Sequence, residues 1–343
     1  MKKGLLVALV VLMAFAILSG CGGSGDDDRF FVGLAFHGLD ATPTVLMGHL
    51  VAEMDRLGWR YVITNGDLDN NKYIADVEAL IQQEPDLIWT RGSEFLVQNI
   101  IEMTYFAGIP LVWSSGMPNR FAEYPYLSNA GDPELIRGIP LARWLDNYVA
   151  NNPGFVPRIG FLVGNLSIDS YGSSHRSLNM RDYLTVDWVD VITAECVPNW
   201  MASGAMNITE DWLQRYTINE LNTIFCWSDE MSIGVIQALQ AAGVNPGDYV
   251  LMSYDALPIV WDYIEEGWMQ VTSGLDLRRQ ALNAISIMQM YKDGKADDIP
   301  FIQYARSVFL CDESNVAQVK AGNIPESAFF DYVQYVEIEM AKY

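Results

Sequence analysis

Short continuous apolar runs alternate with longer stretches of helical spacing along most of the chain. FFVGLAF, residues 30–36, is unbroken, as a strand buried on both faces requires. Residues 44–57 carry apolar side chains at helical spacing, and Gly58 stops the pattern. RYVIT then predicts a strand, residues 71–82 a helix, and DLIWT a strand. Residues 93–107 predict a helix ended by Gly108, and IPLVWSS a further strand. The rhythm restarts with a helix over 133–151, Pro133 at its start. RIGFLVG, VDVITAEC, NTIFCW, YVLMSYD and MQVTSGLD predict strands. Helices over 174–184, around 210–217, and over 230–242 and 257–266 lie between them. A long helix over 277–292 and a last strand, YARSVFL, follow. Such alternation predicts parallel sheets with right-handed crossovers, here as two doubly wound α/β lobes.

In doubly wound sheets, ligands bind beyond the carboxyl ends of the strands. That rule selects His37 and Asp40 after the first strand, Arg91 after DLIWT, and Trp113 to Ser115 after IPLVW. In the second half it selects Trp200, Trp227, Ser228, Asp255 and Asp276.

The start of the chain departs from this pattern. MKKGLLVALVVLMAFAILSGC has a short basic start, an apolar run, small residues and a cysteine. This is the order of a secretory signal. Its LSGC ending looks like a bacterial lipoprotein signal, with 1–20 removed and Cys21 lipidated. The next residues, to 29, hold GGSGDDD and nothing apolar to bury, and read as a tether. The formal charge of −22 over 343 residues repels nucleic acid and anionic headgroups. Of four cysteines, Cys196, Cys226 and Cys311 remain, at no zinc spacing. Cys226, within TIFCW, reads as a buried apolar thiol.

No constellation for catalysis emerges. The three histidines lack His-Glu-x-x-His spacing, and no nucleophile elbow or phosphate loop occurs. No metal and no cofactor is implied. A glycosidase would need two carboxylates facing one another across a sugar. Asp229 and Glu230 are neighbours at a helix start and diverge; Asp229 is read as the cap of that helix and Glu230 as solvated. Ten tryptophans are present. Trp113, Trp200 and Trp227 fall at strand ends, where an aromatic face either stacks on a sugar ring or packs in the core. Trp59, Trp144 and Trp261 read as core.

CWSDEMSIGVIQALQAAG, DYVLMSYDALP and EEGWMQVTSGLD resemble the second lobe of type I periplasmic sugar-binding proteins, the ribose-binding class. GHLVAEMDRLGWRYVIT and AGIPLVWSS resemble the first lobe, and SVFLCDESNVAQ the closing strand. The resemblance implies two lobes joined by three hinge crossings, near Ser128, Asp276 and Ser307, that close on a ligand. Lobe 1 would comprise 30–128 and 277–306, and lobe 2 129–276 and 307–343. The family's first-loop polar contact falls at Asp40, its second-lobe aromatic at Trp200, its polar residue before the acid pair at Ser228 and its strand-end carboxylate at Asp255. Arg176 is nearest to the family's hydroxyl-binding arginine. Ser115-Gly116 stands where sugar-binding members carry Asp-Arg; Arg91 or Arg120 supplies a cation for a different ligand.

The sequence therefore reads as an extracytoplasmic, lipid-anchored monomer that binds a small polar solute, foremost a sugar, for an ABC importer. Two readings stand beside it: a sensory binding protein working with a membrane receptor, and a secreted glycosidase.

Overall fold

The first apolar run becomes a central strand because every residue of it is enclosed. A computed structural model describes residues 28–39, 41–92, 96–114, 123–131, 136–164, 171–187, 189–197, 200–331 and 335. Strand β1 (Phe31–Phe36) is buried throughout and pairs in parallel with β2 (Arg60–Asn65) and β3 (Leu87–Arg91). Then come β4 (Leu111–Trp113) and β5 (Ser128–Asn129), giving the order β2-β1-β3-β4-β5. Helices α1 (Ala41–Leu57), α2 (Asn70–Ile81) and α3 (Val97–Ala107) make the crossovers. Gly108 ends α3 at φ 70, a left-handed conformation that glycine adopts without a Cβ penalty.

The second sheet has the order β11-β10-β9-β8-β6-β7. Its strands are β6 (Arg158–Val163), β7 (Val189–Cys196), β8 (Thr223–Cys226), β9 (Val250–Asp255), β10 (Val271–Leu275) and β11 (Val308–Asp312). All neighbours are parallel except β11, which runs antiparallel along β10. Around them lie α4 (Gly138–Asn151), α5 (Tyr171–Tyr183), α6 (Ala202–Arg215), α7 (Asp229–Ala241), α8 (Pro258–Glu265) and the short α10 (Val316–Lys320).

Helix α9 (Leu277–Lys292) follows β10 in the chain, yet it packs on α1. Its Ala281, Ala284, Ile287 and Met288 complete the core around Val32, Leu34, Leu50 and Trp89. The chain thus passes from the first lobe to the second between β5 and α4, returns at Asp276, and crosses again before β11. These passages are laced together. Asn129 N donates to Phe301 O (2.7 Å), Gln303 N to Asn129 O (2.9 Å), and Asp276 N to Ser307 O (2.8 Å).

Several expectations shift. Helix α6 starts at Ala202, well before residue 210; its first turns carry small residues where it packs closely on α7, and its buried row is Ala205, Thr209 and Trp212. The helices read from 93 and 133 are described from Val97 and Gly138, and 93–95 and 132–135 lie outside the described residues. Strand β5 and α10 were too short to read. The signal-like start, Cys21 and the segment to residue 27 also lie outside. Among the described residues no helix is long and apolar enough to cross a membrane. Cys226 and Cys311 are buried free thiols, both pushed up to about 12, chiefly by burial.

Helices α6 and α7 approach so closely that a Cβ on Gly234 would run into the Ala202 carbonyl oxygen. Backbone cannot give way as a side-chain tip can. Gly234→Ala is therefore expected to destabilise the second lobe by about 1–3 kcal/mol. The check is a lower urea midpoint at unchanged slope; an unmoved midpoint would show that the helices part freely.

Candidate ligand cleft

The carboxyl edge of the second sheet is organised by one buried acid. Ser228, not Asp229, caps α7: its Oγ accepts from Met231 N at 3.4 Å. Asp229 is the first helical residue, 0% exposed. Its Oδ1 accepts from Thr272 Oγ1 of β10 at 2.8 Å and from Ser253 Oγ of β9, and its Oδ2 from Leu257 N at 2.7 Å. A capping residue lies outside its helix; here the serine fills that place, which turns the next side chain inward. Burial, then the nearby charge of Asp255, pushes the Asp229 carboxyl up to about 8. A protonated Asp229 still fits, because the hydroxyls beside it accept as well as donate.

The acid fixes a turn of unusual shape. Asp255 has φ 107 and Ala256 φ 50, both positive for residues with side chains. Leu257 N is held by Asp229, Ala256 N donates to Thr272 Oγ1 (3.1 Å), and Trp261 Nε1 donates to Ala256 O (3.0 Å). These bonds offset a backbone cost of about 1–3 kcal/mol per strained residue.

Asp255 meets Arg137 Nη2 at 3.3 Å. Arg137 precedes α4, is 3% exposed, and lies over the Tyr254 ring at 5.2 Å. Arg176 approaches the same ring at 5.0 Å and accepts the Tyr254 hydroxyl on its carbonyl at 3.2 Å. Its guanidinium donates to Trp227 O and lies 5.5 Å from the Trp200 ring. Trp200 is half-buried beside Trp227 at 5.9 Å, and a Cβ on Gly164 would run into its indole. One edge thus brings Trp200, Arg176, Tyr254, Arg137 and Asp255 together. Asp255 supplies oxygens for hydroxyl donors, Arg176 supplies N–H groups and Trp200 an apolar face, while Tyr254 and Arg137 are enclosed and hold these groups in place.

Other expected residues take structural places. Trp227 is 1% exposed and donates Nε1 to Ser177 Oγ at 2.6 Å; its backbone, not its ring, reaches Arg176. Trp113 is enclosed in the first lobe's core beside Ala35, Tyr73 and Ile100. The Ser228 hydroxyl accepts the cap bond and keeps its own O–H to donate. Asp276 likewise caps α9, accepting from Arg279 N at 3.0 Å and pairing with its guanidinium at 3.2 Å. In the first lobe, His37 Nε2 contacts Asn70 Oδ1 at 2.9 Å, and its backbone N–H donates to the Arg91 carbonyl at 2.9 Å. Both stand at the carboxyl edge of the first sheet. Asp40, Ser115 and Arg120 lie outside the described residues. Arg137 was missed in the sequence, where it read as one residue of a helix; a lone arginine in LIRGIPLA, flanked by apolar positions, is the signal that was there.

Asp229 and Glu230 do not form a facing pair of acids: the first is enclosed by its partners and the second is exposed. Because Asp229 has a raised folded-state pKa, its protonated form is favoured in the folded chain. Its contribution is full below about pH 4 and is lost as pH rises toward about 8. Asp229→Asn, which carries no proton to lose, is expected to flatten this fall. Urea unfolding at pH 5 and pH 8 checks it; equal pH slopes in both proteins would disprove the assignment.

Residues 48–296 match the model of the periplasmic binding protein domain. The chain is 25% identical over 242 residues to a "Putative rhizopine-binding protein" of Rhizobium meliloti, covering 67% of this chain and 72% of that protein. It superposes with TM-score 0.73 and 20% identity on an ABC transporter solute binding protein from Bacillus halodurans C-125 with bound myo-inositol, covering 87% of this chain and 99% of that one. For the binding protein of the arabinose ABC transporter from Shewanella sp. ANA-3, bound to L-arabinofuranose, the values are 0.71 and 17%, with 87% and 97% covered. A periplasmic ribose ABC transporter protein from Conexibacter woesei gives 0.72 and 16%, with 88% and 98% covered. At such identities the structural likeness is one of fold. The family match runs from within α1 to beyond α9, taking in β2 to β10 and the residues Arg137, Arg176, Trp200 and Asp255, and this chain belongs to the periplasmic binding protein family.

Proposed function

We propose that this protein is an extracytoplasmic solute-binding lipoprotein that captures a small polyhydroxylated ligand between its lobes for an ABC importer. The observation that carries this is the edge where Trp200, Arg176, Tyr254, Arg137 and Asp255 converge. A sugar or cyclic polyol presents C–H faces to rings and hydroxyls to charged groups, and this edge supplies both. Relatives described as binding rhizopine, myo-inositol and L-arabinofuranose support the same class. His37 and Arg91 at the carboxyl edge of the first sheet, with Asp40 shortly after β1 and Ser115 after β4 in sequence, would contribute from the first lobe as the lobes hinge at the three crossings. The sequence LSGC supports a lipid on Cys21, and the chain is proposed to act as a monomer.

Asp255 is the residue on which affinity should turn. Charge-assisted hydrogen bonds contribute ~1.5–3 kcal/mol each, so Asp255→Asn should weaken binding at least about tenfold. Trp200→Ala should cost a comparable factor by removing apolar surface. Glu230→Ala, at an exposed first helical turn, should leave binding unchanged. Titration calorimetry with ribose, arabinose and myo-inositol is the test, alongside mass spectrometry of whatever small molecule co-purifies. If Glu230→Ala abolishes binding while Asp255→Asn binds normally, the site lies elsewhere.

The anchor is tested separately. Cys21→Ala should move the protein from the membrane fraction to the soluble one, since acyl chains supply most of such a protein's membrane affinity. Retention of the variant in membranes would refute lipidation as the anchor.

A further inference from the structure

Near the carboxyl end of α3 an aromatic cluster stands open to solvent. Phe106 is 68% exposed and Tyr105 46%. They pack on each other at 5.6 Å and on Tyr124 at 5.0 and 4.9 Å, Tyr105 lying nearly parallel to Tyr124. The rings steady one another while their outer surfaces stay in water. Exposed apolar clusters of this kind mark interaction sites, whereas scattered single apolar residues do not. The cluster is remote from the cleft edge in topology. Helix α3 runs back along the sheet, so its end lies by the amino edge; Ile109 N donates to Thr104 O, and β4 begins at Leu111.

The start of the described chain reaches the same edge. Phe31 N donates to Asp86 Oδ2 at 2.7 Å, Asp86 N returns a bond to Phe31 O at 2.9 Å, and Ile88 N donates to Pro110 O at 3.0 Å. The amino ends of β1, β3 and β4 are therefore level, with β1 and β4 only one strand apart. That separation is about 10 Å. From Cys21 to Phe30 the chain can span at most about 30 Å. A lipid on Cys21 would hold this base, and the aromatic cluster with it, near the bilayer.

We propose that Tyr105, Phe106 and Tyr124 form a membrane-contact surface that seats the base of the first lobe in the headgroup region of a zwitterionic bilayer. This rests on the lipid-anchor reading. Tyrosine suits that region because it joins an apolar ring to a hydroxyl that stays wet. The contact can be weak and still be occupied, because the anchor makes it an intramolecular event at high effective concentration. The surroundings choose the lipid. Helix α3 carries Glu102 and no basic residue, and Glu123 adjoins Tyr124. With a formal chain charge of −22, an anionic surface would repel this face at low salt.

The test uses the full chain produced with its lipid, reconstituted on phosphatidylcholine vesicles, and the soluble Cys21→Ala chain as reference. Mass spectrometry first establishes the acyl group on Cys21. Amide hydrogen exchange over residues 101–108 and 123–127 should then slow several-fold on vesicles, with no slowing at the start of β6 in the second lobe. Replacing half the lipid with phosphatidylglycerol at low salt should weaken the effect, and Phe106→Ser with Tyr105→Ser should remove the slowing at 123–127. An acylated chain whose exchange at these residues is unchanged overturns this surface while leaving the anchor intact. An unacylated Cys21 overturns the anchor and this proposal together. A soluble Cys21→Ala chain that sediments as a dimer, and as a monomer once Phe106→Ser is added, overturns it in favour of a contact between copies.

Discussion

The second lobe depends on a carboxyl group taken out of water at the point where three strands stop. Asp229 sits at the head of α7 and touches β9 through Ser253, β10 through Thr272, and the entry to α8 through Leu257 N. Each bond ties a separate piece of chain to the same atom pair. Desolvation of the acid opposes folding in its charged form, so the group holds its proton instead, and neutral hydroxyls suit a neutral acid. What this secures is the turn at Asp255 and Ala256, which L-residues would not adopt unaided. Asp255, the last residue of β9 and level with Gly274 of β10, then meets Arg137.

Arg137 changes how the cleft is understood electrostatically. A guanidinium this deeply enclosed needs a nearby countercharge, and Asp255 supplies it across the gap between α4 and β9. The pair also limits Asp255: one oxygen is engaged, and its charge is already partly compensated. Arg176 repeats the theme on the other side of Tyr254, bridging to Trp227 and Trp200. The edge is thus a mixed surface of rings and fixed donors, suited to hydroxyls that both give and accept hydrogen bonds.

How far the residues disclosed this is uneven. Buried parallel strands announce themselves, because a run such as FFVGLAF has few other uses, and the α/β rhythm followed directly. The acid pair at Asp229-Glu230 was read as marking a helix start, which it does, but which residue caps depends on a single step of backbone: Ser228 took the cap and Asp229 turned inward. Strand-end tryptophans were ambiguous for a related reason. Trp113 and Trp200 occupy similar sequence positions, yet Trp113 fills a core while Gly164 lets Trp200 lie at the cleft edge. Helix α6 lost its first turns to the reading because close helix contact at Gly234 favours small residues, so its buried row opens on Ala205 and Thr209 and becomes strongly apolar only at Trp212. Arg137 was passed over because its partner lies 118 residues away, and only its apolar flanks marked it.

The path of α9 has a consequence for how the chain comes into being. Ala281, Ala284, Ile287 and Met288 belong to the core of the lobe that begins at β1, while β11 closes the other sheet. A chain made from its amino end therefore cannot finish either hydrophobic core until nearly all of it has been synthesised. Domains usually fold as units as they emerge, and interleaved ones must wait. The connectivity that interleaves the two lobes therefore sets one late point in synthesis at which both cores can close.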